Sequence, residues 1–175
     1  MKYMLAYGLV SGSIIIAVMT IGIATADWGS FYGSEWFGYL VMLLALSVIF
    51  VAVKRYRDRE CGGVIRFGRA LGLGVGIAAV AGLAYVIGWE IYLATSGRDF
   101  MAEYVEGMVR GMETAGASAG AIAEKAAEMR RMAELYRNPL FRVPITFVEI
   151  FPVGLLVALV SAALLRNPRL LPAAR

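Results

Sequence analysis

Four long apolar runs, at residues 4–26, 36–53, 71–94 and 145–165, fill most of a 175-residue chain. A helix rises ~1.5 Å per residue, so roughly 20 apolar residues cross the ~30 Å hydrocarbon core of a bilayer, and each run reaches or approaches that length. Hydrophobic residues make up 60% of the chain and charged residues 17%, against ~45–50% and ~25% in soluble domains. A water-soluble fold of this size has no interior large enough to hide so much apolar surface. The expected class is all-α: a polytopic membrane protein, one membrane domain over residues 1–175 with four transmembrane helices.

The basic residues orient the spans, because Lys and Arg in short loops are retained on the cytoplasmic side. Lys54, Arg55, Arg57, Arg59, Arg66 and Arg69 lie between the second and third runs, Lys2 precedes the first, and Arg166, Arg169 and Arg175 follow the last. The short segment 27–35 has Asp27 and Glu35 and no base. Both termini are therefore expected in the cytoplasm, and Trp28, Trp36 and Trp89 then fall at the outer ends, where an indole sits among headgroups with its N–H wet. Ala24-Thr25-Ala26 imitates a signal-peptide cleavage site. The apolar run before it exceeds the usual ~7–15 residues of a signal core, so it reads as a retained first span. The basic run from Lys54 to Arg59 is expected to touch anionic lipid headgroups.

Residues 97–137 carry both signs of charge between apolar positions of helical period: Phe100, Tyr104, Met108 and Met112, then Ile122, Ala126, Met129, Met132 and Tyr136. Gly116 suits a helix C-terminus and Ser118 an N-cap. The segment predicts an extracytoplasmic amphipathic helical hairpin, packed on the bundle or offered to a periplasmic protein partner. Asn138-Pro139 is expected to end its second helix.

Helices in lipid associate largely through close backbone packing across small residues. Gly8 and Gly12 form one such face, Gly68, Gly72 and Gly76 a second, and Gly154, Ala158 and Ala162 a third. They predict an intramolecular bundle in which the third and fourth spans meet through Gly72–Gly76 and Gly154–Ala158; a homo-oligomer seam is the alternative use.

Three glutamates abut or enter the spans: Glu35, Glu90 and Glu149. A central acid costs ~2.5–3.5 kcal/mol on insertion scales, so such residues usually face the bundle interior or water. Counted from the expected span ends, all three fall in one outer layer. Arg98 and Arg142 are the nearest outer bases in sequence, Tyr39 and Thr146 are polar neighbours, and Pro152 frees the Val148 carbonyl beside Glu149. Glu35, Glu90, Glu149, Tyr39, Thr146, Arg98 and Arg142 are accordingly the candidate ligand- or ion-binding residues, with a helix kink at Pro152.

Other chemistry finds little support. The chain has no His and one cysteine, Cys61, which removes the commonest proton shuttle and metal ligand and any intramolecular disulfide. Gly72, Gly74, Gly76 and Ala79 imitate a dinucleotide fingerprint, but inside an apolar helix with no preceding strand. The net charge of +4 clusters beside spans and accompanies no groove-reading motif, so no nucleic-acid partner is expected. Neither a catalytic constellation, a metal site nor a cofactor motif is recognisable.

Glu35-Trp36-Phe37-Gly38-Tyr39-Leu40-Val41-Met42, Phe50-Val51 leading to Lys54-Arg55-Tyr56-Arg57-Asp58, Gly62-Gly63-Val64-Ile65, Phe67-Gly68, Tyr85 and Trp89-Glu90 follow one another in order. With Asn138-Pro139 and 146–152, they resemble the bacterial family known as domain of unknown function 4199. The resemblance implies a small multi-pass inner-membrane protein and no activity. The functional expectation is a non-enzymatic interaction or assembly component, able to self-associate. Its rival is an oligomeric proton- or cation-coupled carrier or channel using the outer carboxylates.

Overall fold

The computed structural model describes residues 1–25 and 35–172, the side chains of 24, 25 and 35 excepted. Asp27, Trp28 and the Glu35 side chain lie outside the described residues. Among the described residues seven helices follow in order: α1 (Lys2–Thr25), α2 (Glu35–Leu46), α3 (Val48–Glu60), α4 (Phe67–Thr95), α5 (Phe100–Thr114), α6 (Ala119–Tyr136) and α7 (Pro139–Leu165). Four stretches of the described residues are long and apolar enough to cross a membrane: Lys2–Ile23, Trp36–Glu60 across α2 and α3, Phe67–Thr95 and Pro139–Leu165. The protein is a four-span, all-helical membrane protein.

Several boundaries differ from the apolar runs. The basic segment 54–60 is not a loop but the last turns of α3, since Lys and Arg are good helix formers and Lys54 reaches Asp58 one turn on at 2.5 Å. The helix closes where Cys61 and Gly63 both donate to the Arg57 carbonyl, at 3.2 and 3.0 Å, which places Gly62 and Gly63 at φ of 60° and 86°. Asn138-Pro139 starts a helix as well as following one: Asn138 caps α7 by accepting from the Leu140 N–H, and Pro139 occupies the first turn. The fourth span thus begins at Pro139 rather than near 145. It continues through Pro144 and Pro152, both inside α7. Ser118 caps α6 through the Ala121 N–H, Gly116 takes φ of 74°, and α5 and α6 pack on each other.

α4 is the central helix, with α1 on one side and α7 on the other. The α1 seam is parallel and steps by four residues: Gly76 receives Met4, Gly8 receives Val80, Gly12 receives Ala84 and Gly88 receives Ile16. At Gly12 the neighbour is backbone, the Ala81 carbonyl oxygen lying 2.6 Å from where a Cβ would stand. The α7 seam is antiparallel with the same step. Gly74 meets Ala158, Gly154 meets Ala78, and Gly82 meets Phe147 and Ile150.

This corrects the face expected on α4. Gly68 and Gly72 have nothing within 4 Å of a built Cβ, and Gly76 packs on α1, not α7. The surface that meets α7 lies two residues later, where Ala70, Gly74 and Ala78 are buried. A helix turns ~100° per residue, so that offset points nearly the opposite way. Gly74→Ala is therefore expected to destabilise the detergent-solubilised bundle by about 1–3 kcal/mol through overpacking against Ala158. Gly72→Ala is expected to be neutral or stabilising by up to ~1 kcal/mol, since it meets no neighbour and improves helix propensity. Thermal unfolding of both variants checks the register; equal melting points would contradict it.

Candidate functional site

The polar residues of the bundle gather at two levels, one at the α5–α6 end and one at the end carrying the termini. At the first, continuing the α4–α7 register past Gly82 brings Glu90 opposite Arg142. The guanidinium meets both carboxylate oxygens, Nε to Oε1 at 2.6 Å and Nη2 to Oε2 at 2.5 Å, and donates from Nη1 to the Tyr136 carbonyl at 3.2 Å. One arginine thereby ties α4, α7 and the end of α6 together. Planar two-point recognition of this kind is specific to arginine.

Trp89, beside Glu90, is buried, and its Nε1–H donates to the Tyr136 hydroxyl at 2.7 Å. Its indole is therefore satisfied by protein and not by water, as its place at an outer span end had suggested; Trp36, by contrast, is 80% exposed. Burial raises the Tyr136 hydroxyl above the ordinary phenol range, an effect that Glu149 reinforces and that Thr146, Trp89 and Arg142 oppose. Tyr136 stays protonated at neutral pH and accepts from Trp89. The Trp89 ring also meets Phe100 edge-on at 4.8 Å, and Phe100 stacks on Tyr104 at 6.2 Å. Those rings fasten the start of α5 to the top of α4.

Thr146 is buried one turn below Arg142, on the α7 face that meets α4. Glu149 is placed differently. It follows Arg142 by seven residues, which is about 10 Å farther along the helix axis, and its side chain is exposed. Glu90 and Glu149 therefore do not share one depth. Matched depth followed from starting the fourth span near 145, whereas α7 starts at Pro139. Arg98 does not join this group: it pairs with Glu103 at 2.9 and 2.6 Å near the start of α5. Tyr39 is 48% exposed on α2, and among the described residues no hydrogen bond connects it to the cluster.

Sequence reasoning passed over Tyr85 and Tyr136. Tyr136 ends the stripe of Met129 and Met132 on α6, and that periodicity was the available signal. The hairpin itself encloses a cleft of about 520 Å³ lined by Asp99, Met101, Val105, Glu106, Arg130, Glu134 and Arg137, among others.

At the opposite end, Arg57 is fully buried. It had been read only as one charge in a basic run, although Ile49, Val53 and Arg57 recur at helical spacing on the buried face of α3. Its Nε donates to Asp58 Oδ1 at 2.8 Å, Nη1 to the Leu170 carbonyl at 3.0 Å and the Leu165 carbonyl at 3.5 Å, and Nη2 to the Leu171 carbonyl. The carbonyls that α7 leaves open at its C-terminus, and those of the turn beyond, thus close on one cation. At the same end of the bundle, Tyr3 and Tyr7 of α1, Arg55 and Tyr56 of α3, and Arg69 of α4 form a chain of contacts.

These features define a four-span membrane protein whose two ends are each fastened by an arginine, one on a carboxylate and one on backbone carbonyls. Over residues 6–167 the sequence matches the family described as Protein of unknown function (DUF4199), and the chain belongs to that family. No curated protein and no solved structure matches it.

Proposed function

We propose that the chain is a non-enzymatic interaction or assembly component of the bacterial inner membrane, with both termini cytoplasmic and the α5–α6 hairpin outside as its presenting surface. The observation that carries this reading is the closure of the outer charges on one another. Glu90 is engaged through both oxygens by Arg142, and Trp89 by Tyr136. These groups are arranged to hold a hairpin in place rather than to bind and release a cation. The hairpin they hold is amphipathic, with charged residues of both signs around its cleft, a surface suited to a periplasmic protein partner.

Topology supplies the first test. In a Cys61→Ser background, cysteine at Ser118 is expected to react with an impermeant thiol reagent in intact spheroplasts, whereas cysteine at Asn167 reacts only after lysis. The opposite pattern would invert the protein. For the role itself, a photo-crosslinking residue at Val109 in the cleft is expected to trap a discrete protein in native membranes. The same residue at Leu83, exposed on α4, should not.

A carrier reading keeps one foothold, the exposed Glu149 about 10 Å below the Glu90–Arg142 pair. A proton or cation flux in liposomes that Glu149→Gln abolishes, with no specific Val109 crosslink, would replace the assembly role with transport.

A further inference from the structure

The end of the bundle that carries the termini holds more positive charge than its own acids answer. Asp58 is taken by Lys54 at 2.5 Å and by Arg57 at 2.8 Å, and Glu60 by Lys2 at 3.5 Å. Arg55 and Arg69 are oriented instead by neutral phenols: Arg55 Nη1 donates to the Tyr7 hydroxyl at 3.1 Å, and Arg69 Nη2 to the Tyr56 hydroxyl at 2.7 Å. Among the described residues no carboxylate pairs with either guanidinium.

The phenols form one cluster. Tyr3 stacks on Tyr7 at 6.1 Å and meets Tyr56 edge-on at 5.4 Å, and the Arg69 guanidinium also lies 5.4 Å from the Tyr56 ring centre. Three helices thus present two aimed guanidiniums on an aromatic floor, at the level where a span leaves the hydrocarbon. Toward the membrane, Val51, one turn before Arg55, is 45% exposed. Gly72, one turn after Arg69, has nothing within 4 Å of a built Cβ. Below Arg55 the surface is apolar and exposed at Val51, whereas one turn past Gly72 the same face of α4 is covered by α1, Met4 packing on Gly76.

We propose that Arg55 and Arg69, held by Tyr7 and Tyr56, form a binding site for the phosphate of an anionic phospholipid, with an acyl chain lying along Val51. Guanidiniums match phosphate geometry through paired N–H donors, and interfacial tyrosines give the headgroup further hydroxyl donors. The apolar surface selects a membrane lipid over free phosphate. Anionic lipid contact was expected of the basic run from Lys54 to Arg59 as a whole; the geometry narrows it to Arg55 and adds Arg69 and two tyrosines. The site stands whichever leaflet this end faces and does not depend on the role of the hairpin.

The test is native mass spectrometry of the full chain in mild detergent, titrated with dioleoylphosphatidylglycerol and with dioleoylphosphatidylcholine. The wild type is expected to retain the anionic phosphatidylglycerol over the zwitterionic phosphatidylcholine. Arg55→Gln with Arg69→Gln should weaken that retention by about tenfold or more. Arg166→Gln with Arg169→Gln removes the same charge from the same end and should leave it within about twofold. Tyr7→Phe with Tyr56→Phe keeps both charges and removes their orienting hydroxyls. An intermediate loss is expected there, which also covers the case of a poorly folded arginine variant. Equal losses in the two arginine pairs would reduce the contact to diffuse attraction and overturn the site, as would full retention in the tyrosine pair. Displacement of the lipid by inorganic phosphate at matching concentration would make it a free-phosphate site and overturn the lipid assignment.

Discussion

Replacing Arg57 with alanine is expected to lower the stability of the solubilised bundle by about 3–5 kcal/mol, the range seen when one member of a buried charged pair is removed. The guanidinium is fully buried and donates to three backbone carbonyls, those of Leu165, Leu170 and Leu171, as well as to Asp58. Asp58 keeps Lys54 after the substitution, so the larger part of the loss falls on the carbonyls, each costing about 1–3 kcal/mol if left dry and unpaired. Arg57→Lys is expected to recover less than half, because one ammonium cannot serve carbonyls on both sides of a planar fork. Denaturant unfolding in micelles measures the loss, and limited proteolysis after Asn167 should show the C-terminal turn released in the alanine variant. A loss under about 1 kcal/mol would mean that water replaces the guanidinium without penalty.

Removing Arg142 carries the next largest effect. Arg142→Gln is expected to cost about 2–4 kcal/mol, below the fully buried range because the two side chains are 15% and 29% exposed. The variant abandons the Glu90 carboxylate in a membrane-spanning helix and frees the Tyr136 carbonyl at once. Glu90→Gln should cost less, since Arg142 retains the carbonyl and a neutral amide can still accept. In the double variant the two losses should not add: a coupling of at least about 1 kcal/mol is expected for groups in direct contact. Strict additivity would show that the pair does not hold α4 to α7. If the pair also positions the hairpin, hydrogen exchange in α5 and α6 should rise in Arg142→Gln while α1 stays protected.

The class of protein was legible from hydropathy alone, because a bilayer demands about 20 apolar residues per crossing and offers no way to hide a wrong count. The hairpin helices were legible from the period of Met108, Met112, Met129 and Met132 and from Gly116 and Ser118 between them. Helix ends were harder. Apolar runs mark what lipid tolerates, whereas helices end where backbone donors and acceptors find caps, so α3 runs on through its basic turns and α7 starts at Asn138's cap. That six-residue distinction moved Glu149 away from Glu90.

The candidate residues divided along the same line. Composition marked Glu90 and Arg142 as costly in lipid, hence in need of partners, but only register decides partnership. Glu90 meets Arg142 because Gly74, Ala78 and Gly82 bring α4 against α7 in four-residue steps, while Arg98, equally eligible in sequence, is closer to Glu103. Small residues are present on more than one face of α4, and sequence cannot rank them; the glycines at 68 and 72 were read as a seam and are exposed. Arg57 is the sharpest case. Its burial depends on carbonyls more than a hundred residues away, at Leu165, Leu170 and Leu171, and backbone acceptors leave no trace in side-chain identity. The sequence by itself determined the solvent, the number of spans and the local helices, all of which follow from short-range periodicity and transfer energy. The tertiary structure decided which faces touch and which charges meet, because those depend on the angular position of one helix against another, and a two-residue difference on a helix reverses it.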